Sequence, residues 1–219
     1  MPNDPMVSRR RLLQMMVTAG GFALVGHHGW AAPPLPITPD QVLGPFYPVT
    51  KPLDQDADLT TEPGKAGARG QVIHMMGKVL NQQGEPVSGA RVEVWQANAH
   101  GRYRHERDRN PAPLDPHFAG FGVQTTDQAG RYRFKTVKPG PYPVGSDRMR
   151  PPHIHFKITS LSNRLVTQMY FPDEPLNAKD FILQSSLNPE ALIALIRPPT
   201  PDLEPDSKLA VWNIVLAQR

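Results

Sequence analysis

Between residues 71 and 216, apolar and polar side chains alternate with a period of two in several short stretches, as in strands with one buried and one outward face. Arg131-Tyr132-Arg133-Phe134-Lys135-Thr136 is the cleanest: Tyr132 and Phe134 share one face, and Arg131, Arg133 and Lys135 the other. In residues 90–96, Ala90, Val92 and Val94 form the apolar face. Trp95 falls with Arg91 and Glu93 on the other, where an aromatic is either exposed or lines a pocket. Residues 72–80, 153–158, 165–171 and 209–216 read as further strands. Turn-type sequence separates them at residues 81–86, 127–130 and 138–143. Asn188-Pro189-Glu190-Ala191 opens a short helix, with proline in its first turn, expected to run to Ile196. The pattern predicts an all-β chain: a single β-sandwich of mainly antiparallel strands with long loops and one short helix, over residues 71–219. Residues 33–70 read as an extended segment in which Phe46 and Tyr47 argue for packing onto that domain.

Residues 1–32 stand apart from the alternation. Ser8-Arg9-Arg10-Arg11-Leu12-Leu13 opens an apolar run that ends in small residues before a Pro-rich start, which describes an export signal of the twin-arginine type. A retained membrane anchor is the competing reading, but the run is shorter than the ~20 residues a spanning helix needs. Cleavage is expected near Ala31 or Ala32, with the mature protein exported, in a bacterium to the periplasm. The leader also changes the charge argument. Of the net charge of +4, residues 1–32 contribute +2, so the remainder is only weakly basic and no nucleic-acid partner is expected. The 26 prolines are spread along the chain, which fits many loops and short strands. Cysteine is absent, which excludes disulfides, thiolate metal ligands and a lipoprotein anchor.

Chemistry concentrates in Arg150-Pro151-Pro152-His153-Ile154-His155-Phe156. On a strand, His153 and His155 project from one face and Ile154 from the other, which supplies half of a metal site. Carboxylates, further histidines or tyrosines must complete it. Carboxylates such as Asp115 or Asp127 would suit zinc or Fe(II), although both stand in turn-like sequence where local hydrogen bonding accounts for them. Two phenolates with two neutral imidazoles would favour Fe(III), because a phenol of pKa near ~10 ionises only beside a strongly Lewis-acidic ion. Of the five tyrosines, Tyr132 and Tyr170 read as core and Tyr47 is undecided. Tyr103 and Tyr142 lie in loop-type sequence, where functional side chains concentrate. Residue types alone leave these completions open.

The run Val94-Trp95-Gln96-Ala97-Asn98-Ala99-His100-Gly101-Arg102-Tyr103-Arg104-His105 resembles the intradiol ring-cleavage dioxygenases, and among them most the iron-bearing β chains of the protocatechuate-cleaving members. Ala112-Pro113-Leu114-Asp115-Pro116, Thr126-Asp127, the residues around Tyr142, the His153–His155 motif and Thr167-Gln168-Met169-Tyr170-Phe171 match in the same order. The resemblance covers about residues 38–219. It implies a mononuclear non-haem Fe(III) held by Tyr103, Tyr142, His153 and His155, with Tyr142 and His153 axial. It further implies that Tyr142 takes up a substrate proton, that Arg150 stabilises negative charge on a ring carbon and that Gln168 orients Arg150 or the substrate. Trp95, Val144 and Tyr47 would line the substrate pocket. The implied reaction is cleavage of a protocatechuate-like catechol-type aromatic by O₂ to a cis,cis-muconate derivative, with both oxygen atoms incorporated.

Val144 stands where the resembling β chains carry a tryptophan, and the segment between Tyr142 and His153 is shorter, so the pocket beside Tyr142 is expected to be reshaped. The implied partners are a small aromatic diol and O₂. Assembly as a homo-oligomer is compatible with the resemblance, and no need for a separate α chain is evident. Two other readings compete: a catalytically silent exported binding module, and the same chemistry on catechol, hydroxyquinol or lignin-derived aromatics. The silent module would be marked by loss of a ligand, and all four are present.

Overall fold

Alternation is decisive in β7 (His153–Thr159), whose Ile154, Phe156 and Ile158 enter the core while His153, His155 and Lys157 project from the opposite face. The computed structural model describes residues 33–51, 56–61, 67–145 and 147–217, so the expected leader, residues 1–32, lies outside the described residues. β7 lies between β2 (Arg91–Trp95) and β8 (Arg164–Tyr170), antiparallel to both, and β3 (Phe121–Thr125) extends the sheet beyond β2.

The facing sheet is organised on β1 (Val72–Asn81), with β4 (Arg131–Val137) antiparallel along one side. Along its other side run β10 (Lys208–Val211) and then β11 (Ile214–Leu216), both parallel to β1. Ile73 and Met75 of β1 and Tyr132 and Phe134 of β4 pack against Val92, Val94, Ile154 and Phe156 of the other sheet. An all-β sandwich is the fold, with one sheet mixed and the other antiparallel.

Two expectations are corrected. Residues 209–216 are two strands, because the chain breaks at Trp212-Asn213. There the Trp212 N–H donates to Met76 O (3.0 Å), and the buried Tyr132 hydroxyl donates to Trp212 O (2.7 Å). Gly77 permits that approach: a Cβ on it would fall 1.7 Å from Trp212 O. Residues 188–196 form no helix beyond a single 3₁₀ turn, Pro189–Leu192, because Ile193 bridges to Tyr170 and Leu195–Arg197 joins β10 as strand β9. The α-helix is instead α1 (Phe181–Gln184), capped by Asp180, whose Oδ1 accepts from the Leu183 N–H (2.8 Å). β3 and the hairpin of β5 (Tyr142–Val144) with β6 (Arg148–Arg150) were not anticipated, the strands of the hairpin being too short to show a period.

The segment from Pro33 stitches one edge of the sandwich before crossing onto its outer face. The Thr38 N–H donates to Val215 O in β11, and the Gln41 N–H donates to Val166 O in β8. Beyond Gln41 the segment covers the outward face of β2 and β7, bringing Leu43, Phe46 and Tyr47 against Trp95, Tyr103 and Tyr142.

Candidate active site

Strand register builds one row of the site: Trp95 on β2 lies opposite His155 on β7, and His155 lies opposite Gln168 on β8. His153 lies opposite Tyr170, and Tyr142 on β5 opposite Arg150 on β6. Tyr103 comes from a loop held by Asn98. The Asn98 carbonyl accepts from the Gly101 and Gly140 N–H groups, and its Oδ1 accepts from those of His100 and Arg102. Gly101 has φ +79°, and a Cβ there would fall 2.1 Å from Pro141 O, the residue before Tyr142. The glycine thus sets how closely the Tyr103 loop approaches the Tyr142 strand. Gly101→Ala is expected to cost about 2–4 kcal/mol of stability and to lower activity through misplacement of Tyr103, checked by thermal unfolding and turnover.

Tyr103, Tyr142, His153 and His155 form a closed circuit of rings. Centroid separations are 5.4 Å from Tyr103 to Tyr142, 5.5 Å to His153, 5.0 Å to His155 and 6.3 Å back to Tyr103. All four side chains are buried, yet among the described residues the Tyr103 hydroxyl and His155 Nδ1 have no hydrogen-bond partner. Buried polar atoms are normally paired, so the circuit has unused donor capacity. His153 Nδ1–H donates to Pro151 O (2.8 Å), which leaves the lone pair on Nε2; here it accepts from the Arg150 Nη1–H (3.1 Å), a bond that a metal at Nε2 would replace.

Burial pushes both histidines well below the ordinary imidazole pKa, and the Arg150 charge adds to this, so both stay in the neutral, metal-binding form. Burial raises the Tyr103 phenol well above its usual value, with Tyr142 adding to it. Burial also raises Tyr142, with Arg150 opposing. Two phenols that ionise only when a cation compensates them, beside two neutral imidazoles, fit a ferric ion. The carboxylate alternatives do not join them. Asp115 accepts from the Arg69 and His117 N–H groups, and Asp127 from those of Ala129 and Arg131. Among the described residues no three His, Cys, Asp or Glu side chains cluster as a metal site.

Arg150 is fixed on several sides. Its Nε donates to Asp180 Oδ2 (2.8 Å), and Nη2 donates to Gln168 Oε1 (2.9 Å) and to the Tyr170 hydroxyl (2.8 Å). Gln168 thus contacts Arg150 directly, whereas the contacts of Asp180 and Tyr170 with Arg150 were missed. Tyr170 could have been found from the register, which sets it opposite His153. Asp180 had only an N-cap signal, far along the chain from the motif.

A cavity of about 290 Å³ opens onto Tyr142, Arg150 and His155, walled by Val42, Phe46, Val144, Phe181 and Ile182. Val144 lines it. Trp95 does not: it stacks behind His155 (4.8 Å, 12°) and is fully buried, so it supports the imidazole instead of touching the cavity. Tyr47 is likewise off the cavity and packs edge-on against Trp95 (4.9 Å). Phe46, unremarked as a pocket residue in the sequence, stacks on Tyr103 (4.5 Å) and lines the cavity. A larger cleft of about 460 Å³, on the outer face of β1 and β4, contains none of the four rings.

Tyr47 belongs to a charged cluster on buried Glu93, which pairs with Lys157 (2.9 Å), Lys51 and Arg91. The Tyr47 hydroxyl donates to Glu93 (3.2 Å), so the cluster ties the N-terminal segment down beside Phe46. Burial pushes the Glu93 carboxyl up, but Lys157 and Lys51 more than reverse this and hold it at about 2, below the ordinary 4.5. A depressed carboxyl stabilises the fold above its unfolded pKa and loses that contribution as pH falls through the folded value. About 2–3 kcal/mol should therefore disappear between pH 4.5 and 2, and Glu93→Gln should flatten that part of the stability–pH curve in denaturant titrations.

Similarity to known proteins agrees with this site. A family model described as Dioxygenase matches residues 42–218, which places the chain among dioxygenases and hence oxidoreductases. The chain is 52% identical over 145 residues to the protocatechuate 3,4-dioxygenase β chain of Burkholderia cepacia, covering 64% of this chain and 60% of that one. It is 31% identical over 156 residues to hydroxyquinol 1,2-dioxygenase of a Rhizobium species, covering 64% of this chain and 50% of that one. The dioxygenase domain of a dioxygenase–carbohydrate-binding fusion from Streptomyces sp. SirexAA-E superposes with a TM-score of 0.64 at 27% identity, over 84% of this chain and all of that domain. The chain belongs to the intradiol ring-cleavage dioxygenase family. It spans 50–60% of the length of these two sequence relatives.

Proposed function

We propose that Tyr103, Tyr142, His153 and His155 hold a mononuclear non-haem Fe(III), and that the chain cleaves a catechol-type diol with O₂ to a cis,cis-muconate, incorporating both oxygen atoms. The observation that carries this reading is the closed circuit of two phenols and two neutral imidazoles, with a Tyr103 hydroxyl unpartnered among the described residues, beside a cavity that Tyr142 and His155 line. Bound iron would act as a Lewis acid that draws electron density from the diol and holds both reactants.

The chain's own groups do the rest. Tyr142, at the cavity wall and a phenolate only where a bound cation compensates it, would take the proton of one diol hydroxyl on its oxygen and become the neutral phenol. Arg150, held by Asp180, Gln168 and Tyr170, presents a fixed guanidinium to negative charge developing on the ring. Phe46, Val144 and Ile182 pack the ring and keep water from it. Incubating iron-replete protein with a catechol under ¹⁸O₂ tests the reading. Equimolar O₂ uptake with two labelled atoms in a ring-opened diacid is expected, and no uptake with any of a panel of diols would refute it.

Export through a twin-arginine route is part of the proposal, since it carries folded protein and lets iron be inserted before export. Accumulation of unprocessed protein in a strain lacking that translocase is the expected result, and normal processing there would contradict it.

A further inference from the structure

The N-terminal segment meets the site residue by residue. The Gln41 side chain reaches Tyr170, the Val42 carbonyl reaches Gln168, Gly44 lies against His155 and Phe46 stacks on Tyr103. Gly44 has φ +75°, and a Cβ there would fall 3.1 Å from His155 Cε1, so a side chain at this position would press on the imidazole.

The first two contacts bear on Arg150. Its Nη2 donates to two neutral acceptors, Gln168 Oε1 and the Tyr170 hydroxyl, and each is oriented in turn from the segment. Gln168 Nε2 donates to Val42 O (3.2 Å), which turns its Oε1 toward the guanidinium. The Tyr170 hydroxyl has one proton and donates it to Gln41 Oε1 (3.2 Å), leaving its lone pairs to accept from Arg150. The other acceptor within reach of that proton is Gln168 Oε1 (3.1 Å), which already accepts from Arg150. Gln41 is itself fixed. Its backbone N–H donates to Val166 O (2.7 Å) and its Nε2 to Ile182 O (3.1 Å), which leaves the side-chain oxygen for Tyr170.

We propose that Gln41 is a positioning residue for ring cleavage, acting through the Tyr170 hydroxyl to hold the Arg150 guanidinium where charge develops on the ring. This rests on the ring-cleavage reading and extends it to a residue of the N-terminal segment. Gln41 does not line the cavity, so its effect reaches the substrate only through its neighbours. Without it, Gln168 Oε1 alone must serve both Tyr170 and Arg150. The guanidinium then gains freedom to turn, and a cation stabilises developing charge best when its direction is set in advance.

The test compares iron-loaded wild type with Gln41→Met, Gln41→Glu, Tyr170→Phe and the double variant Gln41→Met/Tyr170→Phe. Each is assayed with catechol, 3,4-dihydroxybenzoate and hydroxyquinol. Gln41→Met is expected to lower kcat about 5–10-fold, with KM within about 2-fold and the visible band of the ferric protein unmoved. Gln41→Glu keeps an acceptor for Tyr170 and should retain more of kcat than Gln41→Met. The double variant should match Tyr170→Phe within about 2-fold, because Gln41 acts through the hydroxyl already missing; a merely structural role would multiply the two losses. An unchanged kcat in Gln41→Met, a change confined to KM, a lower kcat in Gln41→Glu than in Gln41→Met, or multiplied losses in the double variant overturns the role of Gln41 while leaving ring cleavage intact. A wild type that cleaves none of the three diols overturns the ring-cleavage reading, and this inference with it.

Discussion

Tyr103→Phe should yield a protein that is more stable without metal than the wild type and almost inactive when iron is supplied. The substitution keeps the ring that stacks on Phe46 and removes only the hydroxyl, a buried polar atom with no partner. Leaving such a group unsatisfied costs about 1–3 kcal/mol, so deleting it should raise the stability of the metal-free fold by up to that amount. In the proposed site the same oxygen would be one of four donors to iron, so its loss should lower bound iron and reduce turnover by about 10³-fold. Thermal unfolding of the chelated protein, metal analysis and O₂ uptake read the three effects separately. A Tyr103→Phe variant that is destabilised, or that keeps full iron and activity, would show the hydroxyl to be structural.

Asp180→Asn should be the most damaging change outside the four rings. Arg150 is buried, and Asp180 is the one carboxylate paired with it among the described residues. Asparagine can still cap α1 through its side-chain oxygen, so the loss is that of the charge and not of the cap. Breaking a buried pair by removing one partner costs about 3–5 kcal/mol, or roughly 6–20 °C in Tm for a chain of this size. With His153 Nε2 on iron as proposed, Arg150 would then be held only by Gln168 and Tyr170, and kcat should fall more than KM rises if, as proposed, the cation acts on charge developing in the transition state. Equal unfolding curves for variant and wild type would mean that Asp180 does not compensate Arg150.

The parts legible in the sequence were those written with a regular period. Alternation through residues 153–158 put both histidines on one face, and the facing apolar residues entered the core as read. Tyr103 and Tyr142 carried no such signal, because one lies in a loop and the other on a three-residue strand. Only the family resemblance singled them out. Trp95 was legible as an aromatic on a polar face, but its face meets the Tyr47 segment and His155, so it ends buried behind the imidazole. The kink at Trp212 was hidden because it depends on Gly77, more than a hundred residues away, leaving room for a backbone carbonyl. Asp180 was hidden for the same kind of reason: its partner Arg150 is 30 residues distant and joined to it only by the folded chain. Local pattern fixed faces, while the contacts that hold the arginine and close the site are set by tertiary placement.

Two phenolates and two imidazoles of one chain are proposed to bind ferric iron. The most direct measurement is the visible absorption of purified protein after reconstitution with ferric iron, recorded without oxygen before and after a catechol is added. The account predicts a red-brown tyrosinate-to-iron band at one iron per chain that shifts when the catechol chelates. A reconstituted protein that stays colourless would show that Tyr103, Tyr142, His153 and His155 do not assemble around iron.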